Sequence, residues 1–396
     1  MGRGSWLRRL GAYDALGLTA GLWFLAKFFR YAFPPLFPTF QADFGVSNTL
    51  LGTAFSGMML VYAGMQFPSG ALADRFGSVR VIAAGAAVTI ATGFLLAVET
   101  PLWVVLAAML LVGLGTGAHK TVAIRLLSRT YPARTGRALG VFDTFGSFGG
   151  VAAPAVVVLL TDLAGWQTLF LLGALGGTVL VAGFLRRVPR RLQATGRPDA
   201  DPSPQVEPGL ARYRPLFANP RFRAFIAVNA LFGFAFNGAV AFLPLYLVDG
   251  IGLSEAVANL LFSALFAVSL VQVVTGDLSD RLGRRRVMGA TLTIATVGLA
   301  GLLVVRGPLL AGLVVLAVGV GGDGFRPVRG AYLVDLVPDS VAGGSMGIVR
   351  TVLMGSGAIS PAVVGLVSDS AGYVPAFAML AASMGSAVLA VGVMAV

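Results

Sequence analysis

Stretches of 18 or more predominantly apolar residues recur along nearly the whole chain, and this recurrence constrains its fold more than any other feature. A helix of about 20 residues crosses the roughly 30 Å hydrocarbon core of a bilayer. Candidate spans lie near 15–38, 49–72, 80–99, 102–126, 137–160, 166–185, 223–248, 256–276, 287–305, 308–334, 343–367 and 373–395. Only 12% of the 396 residues are charged and 57% are hydrophobic, too few charges to cover a soluble protein of this length. The pattern predicts an all-α membrane protein with twelve transmembrane helices.

The formal charge of +12 would suit a nucleic-acid binder if the bases formed a patch. They instead alternate with the spans. With the N-terminus in the cytoplasm, Arg3, Arg8 and Arg9 precede the first span, and Arg75 and Arg80 fall in the second-to-third loop. Arg125, Arg129, Arg134 and Arg137 surround the fourth-to-fifth loop, and Arg281, Arg284, Arg285 and Arg286 fill the eighth-to-ninth. The opposite side holds Arg306 with Asp43, Glu99, Asp162, Asp249 and Asp369. Positive residues collect on the cytoplasmic side of membrane proteins, so both termini are expected there, in an inner membrane, with no nucleic-acid partner. The first apolar run lacks a small-residue cleavage site and is expected to stay as a span. With no cysteine and a single histidine, neither a disulfide framework nor a metal centre is expected.

Residues 186–221, rich in Pro and Arg, break the apolar pattern and read as a cytoplasmic linker between a bundle over 1–185 and another over 222–396. The halves repeat. Gly70, Asp74, Arg75 and Gly77 match Gly276, Asp280, Arg281 and Gly283 at an offset of 206, and the same register pairs Gln66 with Gln272, Lys120 with Arg326 and Pro132 with Pro338. An offset of 207 then pairs Asp143 with Arg350, Pro154 with Pro361 and Asp162 with Asp369. Parallel repeats of this kind hold a substrate between them near the midplane.

The repeated G-x-x-x-D-R-x-G lies between the second and third spans of each half. Its glycines permit a tight turn and close helix approach, its carboxylate suits a neighbouring helix N-terminus, and its arginines can reach the opposite bundle. Together with Arg284 and Arg285, these residues resemble the loop signature of the major facilitator superfamily, and the resemblance extends over the twelve spans and the linker. It implies two six-helix bundles that rock about a central site, with the first, fourth, seventh and tenth helices lining the cavity. The implied cytoplasmic latch comprises Gly70, Asp74, Arg75, Gly77, Gly276, Asp280, Arg281, Gly283 and Arg284. Ser78 and Val79 stand where the family's pattern is often basic, which weakens the first copy.

Ionisable groups at membrane depth cost about 2.5–3.5 kcal/mol each and mark function by default. On the cavity-lining helices Lys27, Arg30, Lys120, Arg326 and Arg329 face a single acid, Asp323. That excess predicts a small organic or inorganic anion, held by Lys27, Arg30, Lys120 and Arg326, with Lys120 and Arg326 as symmetric mates. Arg30 followed by Pro38 resembles the first helix of organophosphate and organic-anion exchangers, whose seventh-helix arginine is here replaced by Phe236 beside Asn237, a further substrate-binding candidate. Asp143 and Arg350 are expected gate charges. Arg326 can alternatively neutralise Asp323, and Lys120 can pair with Asp143. His119, Asp143 and Asp323 are the protonatable candidates, although a lone histidine is more often a packing residue.

The expected function is secondary transport by alternating access, proton-coupled or by exchange, in a monomer without cofactors. A drug/proton antiporter and a carrier of sugars or other neutral solutes are the alternatives. Gly146 to Pro154 and Gly355 to Pro361 allow close packing of the fifth and eleventh helices but lack the Gly-Pro pair of antiporters. No nucleophile–base constellation or nucleotide-binding loop is present, so enzymatic and ATP-driven activities are not expected.

Overall fold

The structure, a computed structural model, describes residues 13–194, 210–337 and 339–394. Arg3, Arg8 and Arg9, linker residues 195–209, Pro338 and the side chain of Asp162 lie outside the described residues.

The described chain is almost entirely helical, with no strand. Its first half holds α1 (Asp14–Ala32), α2 (Phe37–Phe44), α3 (Asn48–Gly64), α4 (Gln66–Phe76), α5 (Ser78–Leu95), α6 (Leu102–Gly117), α7 (Lys120–Thr130), α8 (Thr135–Ala164) and α9 (Gln167–Ala194). The second half holds α10 (Pro220–Leu245), α11 (Glu255–Ala267), α12 (Val271–Leu282), α13 (Arg284–Leu302), α14 (Pro308–Leu336), α15 (Asp339–Ala371) and α16 (Tyr373–Val393). Among the described residues nine helices are long and apolar enough to cross a membrane, or ten if the bent α3 and α4 count as one span. The two other expected spans correspond to α1, which carries Asp14, Lys27 and Arg30, and α13, which opens on three arginines. The first span breaks at Pro34 and Pro35, where the missing N–H groups end α1 and a 3₁₀ turn leads into α2.

Contacts divide the chain into two compact units. One comprises the described parts of Met1–Phe33 and Val61–Pro204, the other those of Pro34–Leu60 and Gln205–Val396. In the first, α1 packs on α8 and α9, and Leu16, Val122, Leu126, Phe142, Phe184, Val188 and Leu192 share a core. The last two belong to the stretch expected to be linker. Helix α9 continues to Ala194 because Val188 and Leu192, spaced i,i+4, bury one face while Arg187 and Arg191 reach Asp14 at 4.0 and 3.0 Å. The arginines between them hide that apolar stripe from a composition reading.

In the second unit α10 packs on α15 and α16, and Tyr246 stacks on Phe377 at 4.0 Å. Residues 34–60 join this unit although they precede it by more than a hundred positions. Phe37 meets Phe242, and Asp369 accepts from the Asn48 and Thr49 backbone N–H groups at 3.1 and 2.7 Å, capping α3. The N–H of Ala362, next to Pro361, donates to Ser56 Oγ at 2.8 Å.

Candidate functional site

Trp23, Lys27 and Arg30 follow one another at i, i+4 and i+7 and so share a face of α1. Gly146 and Gly149 of α8 let the two helices approach closely: a Cβ at Gly149 would lie 3.0 Å from that of Lys27, and one at Gly146 would collide with the Trp23 indole. The expected close packing of this glycine stretch is therefore realised against α1. The Trp23 ring stacks with Phe142 at 5.6 Å and with His119 at 5.9 Å. His119 is buried at the break between α6 and α7, with Nε2 3.3 Å from the Thr19 carbonyl oxygen, in surroundings that suit a packing residue.

Arg30 is 4% exposed. Its guanidinium lies 4.0 Å from the Tyr62 ring centroid, 5.4 Å from Trp23 and 6.0 Å from Tyr31. No described acid forms an ion pair with it, and its Nε has no hydrogen-bond partner. Removing an ion from water costs several kcal/mol even after relaxation, whereas a desolvated cation–π contact returns about 2 kcal/mol, so the aromatic rings do not replace a counter-anion. Tyr62 reaches this position because Gly117 has no side chain: a Cβ there would fall 2.8 Å from the Tyr62 carbonyl oxygen. Gln66 fastens the crossing by donating to the Gly117 carbonyl at 3.0 Å and accepting from the Thr121 hydroxyl at 2.8 Å.

Two further bases approach the same indole, Lys27 at 5.9 Å and Lys120 at 5.7 Å from its centroid. Lys120, at the start of α7, pairs with Asp143 of α8 at 3.0 Å, with side chains 28% and 56% exposed. The expected substrate ligand Lys120 and expected gate charge Asp143 are thus partners, as the alternative reading has it.

The second unit treats its bases differently. Asp323 is buried, and Arg326 lies 2.9 Å from its Oδ1, although that oxygen makes no aligned hydrogen bond. The Arg326 guanidinium also covers Phe236 at 5.0 Å. Arg329 donates to Asn229 Oδ1 at 3.4 Å and borders Phe232 and Phe325. Asn237 turns back to its own helix, donating to the Gly233 carbonyl at 2.9 Å. Arg350 is half-buried on α15.

The two copies of the loop motif share a backbone and differ in their ion pairs. Gly77 and Gly283 end α4 and α12 at φ 86° and 92°, in backbone territory that favours glycine, whereas Gly70 and Gly276 have open space around them. Asp74 bonds Arg125 on α7. In the second copy Asp280 is 3.9 Å from Arg284, and Arg284 pairs with Asp335 at 2.8 Å and bonds the Ala331 carbonyl on α14. Arg75 lies over Phe76, and Arg281 pairs with Asp277. These motif contacts tie each loop to its own half.

Trp23 and Tyr62 went unnoticed in the sequence. The spacing of Trp23 from Lys27 and Arg30 was a usable signal; Tyr62, on another helix, left none.

The family model described as Major Facilitator Superfamily matches residues 19–271 and 251–396. The probable sulfoacetate transporter SauU of Cupriavidus necator is 30% identical over 95% of this chain and 92% of that protein. The fosmidomycin resistance protein of Escherichia coli is 26% identical over 84% of this chain and 81% of that one. Among solved structures, the nucleoside transporter NupG superposes with a TM-score of 0.81 at 16% identity, covering 96% of this chain and 99% of that chain. A family match over nearly the whole length, joined to the apolar helices and the doubled loop motif, leads to one conclusion: the chain belongs to the Major Facilitator Superfamily and is a multi-pass membrane transporter, not an enzyme.

Proposed function

We propose that this transporter carries a small organic anion across the inner membrane by alternating access, with both termini in the cytoplasm, and that Arg30 is its principal anion ligand. The supporting observation is the buried Arg30 guanidinium, held among aromatic rings with no described acid beside it. Buried charges in folded proteins are normally compensated, and a carboxylate or sulfonate entering from the aqueous side would supply the compensation through charge-assisted hydrogen bonds. Similarity to a probable sulfoacetate transporter over almost the full length supports an anion as the class. Driving force comes from proton coupling or from exchange, and the monomer is the working unit.

Export of a drug-like compound is the second reading, favoured by the similarity to the fosmidomycin resistance protein. A thermal-stability panel on purified full-length protein separates the two. Small carboxylates and sulfonates at matched ionic strength are expected to raise the melting temperature, and Arg30→Ala is expected to remove the shift while Arg30→Lys retains part of it. Stabilisation by lipophilic cations or neutral solutes, with anions inert, would replace the anion reading.

A further inference from the structure

Three bases converge on one indole in the first unit. Arg30, Lys27 and Lys120 lie 5.4, 5.9 and 5.7 Å from the Trp23 centroid, so the Arg30 guanidinium carbon and the Lys120 nitrogen are at most about 11 Å apart. Their accessibility is graded: Arg30 is buried, Lys27 is half-buried and Lys120 is 28% exposed. An acid of this cluster, Asp143, sits at the exposed end, 3.0 Å from Lys120.

Building on the anion reading, we propose that the site selects short dianions, one acidic group on Arg30 and the other on Lys120 across the Trp23 face, and that Asp143 is an internal competitor which the outer acidic group displaces. A monoanion satisfies Arg30 and leaves the Lys120–Asp143 pair intact. A dianion with its acidic groups one or two carbons apart spans the indole and takes over Lys120 as well. The exchange is near balance because it replaces one carboxylate on Lys120 by another: the Lys120–Asp143 pair is substantially solvated, and exposed pairs of this kind contribute only about 0–1 kcal/mol. Displacing Asp143 therefore costs little, while the second contact adds affinity through the chelate geometry. Trp23 supplies a rigid flat wall that keeps the two cationic stations apart, fixed by its stacking on Phe142 and His119 and by the close approach of Gly146.

The test uses the full-length protein in detergent at fixed pH and ionic strength, with dissociation constants from thermal-shift titrations of four probes. Acetate and methanesulfonate are the monoanions; malonate and sulfoacetate are the dianions. Malonate and sulfoacetate are expected to bind at least tenfold more tightly than acetate and methanesulfonate. Lys120→Gln should collapse that ratio to near one while leaving the monoanions within about twofold, and Lys120→Arg should restore it. Asp143→Asn, which removes the competitor, should tighten dianions several-fold with monoanions unchanged. Equal binding of both classes by the unaltered protein, or a ratio that survives Lys120→Gln, overturns the dianion proposal and leaves the anion reading standing. Absence of binding by all four probes overturns both. A melting temperature without ligand that matches the parent for Lys120→Arg and Asp143→Asn guards against reading misfolding as lost recognition.

Discussion

The two halves of this transporter descend through the same register, yet they surround their bases with different partners. Lys120 and Arg326 are mates in the repeat, and each has an acid partner, but the partners come from different places. Asp143 reaches Lys120 from another helix at an exposed position, whereas Asp323 sits one turn before Arg326 on the same helix and is only 3% exposed. Arg329 finds an amide oxygen in Asn229, while Arg30 of the first half has aromatic faces and no described acid. The repeat keeps a base at Lys120 and Arg326 and leaves free how each is neutralised. Each half thus holds one base paired with an acid and one without a described ion pair, and of the latter Arg30 is the one left among aromatic rings.

The sharpest way to break the comparison is at Arg30. Arg30→Ala is expected to abolish anion-dependent stabilisation, a loss of about 2–5 kcal/mol of binding, as for truncation of one partner of a buried charge pair. Ligand-free stability should fall little or even rise, since an unpaired buried charge is removed; both quantities are read by thermal melts with and without ligand.

The opposite pattern is expected at Asp323. Asp323→Asn removes the counter-charge of Arg326 and should destabilise the ligand-free protein by about 1–3 kcal/mol, less than for a fully buried pair because Arg326 is 31% exposed. Chemical denaturation of the detergent-solubilised protein measures it. A ligand-free loss at Arg30→Ala as large as at Asp323→Asn would erase the contrast between Arg30 and the Asp323–Arg326 pair.

Within the loop motifs the contrast falls between glycines rather than between halves. Gly77→Ala and Gly283→Ala should each cost about 1–3 kcal/mol, because their positive φ is strained for any other residue. Gly70→Ala and Gly276→Ala sit in helices with open space and should be neutral or stabilise by up to about 1 kcal/mol. Melting temperatures of the four variants decide it.

The smallest effect is expected at the motif acids. Asp74→Asn loses the partly buried contact to Arg125, worth about 0.5–1 kcal/mol, while Asp280→Asn, 70% exposed and 3.9 Å from Arg284, should stay within measurement error. In the second copy the matching sensitivity moves to Asp335, which Arg284 engages. Asp335 occupies the register of Arg129, and each half ties its loop to its own fourth span with an ion pair of its own design.

By itself the sequence determined the membrane class, the repeat and the family. These follow from chemistry that is additive along the chain: apolar length must match the bilayer, unpaired charge at depth is costly, and a register kept over six helices is visible by subtraction. It also named the bases of the proposed site, since Lys27, Arg30 and Lys120 are exceptional wherever they fold. Only the tertiary structure decided which of them is already neutralised. Asp143 and Asp323 look equivalent as letters, and the choice between substrate ligand and internal partner depends on distances of 3.0 and 2.9 Å set by helix packing. Tyr62 became a neighbour of Arg30 because Gly117 lets two helices touch, and residues 34–60 joined the second unit because Asp369 caps α3 across more than three hundred residues. Val188 and Leu192 extended α9 beyond 186 for the same reason, since burial of an i,i+4 pair needs a partner surface that only the folded unit provides.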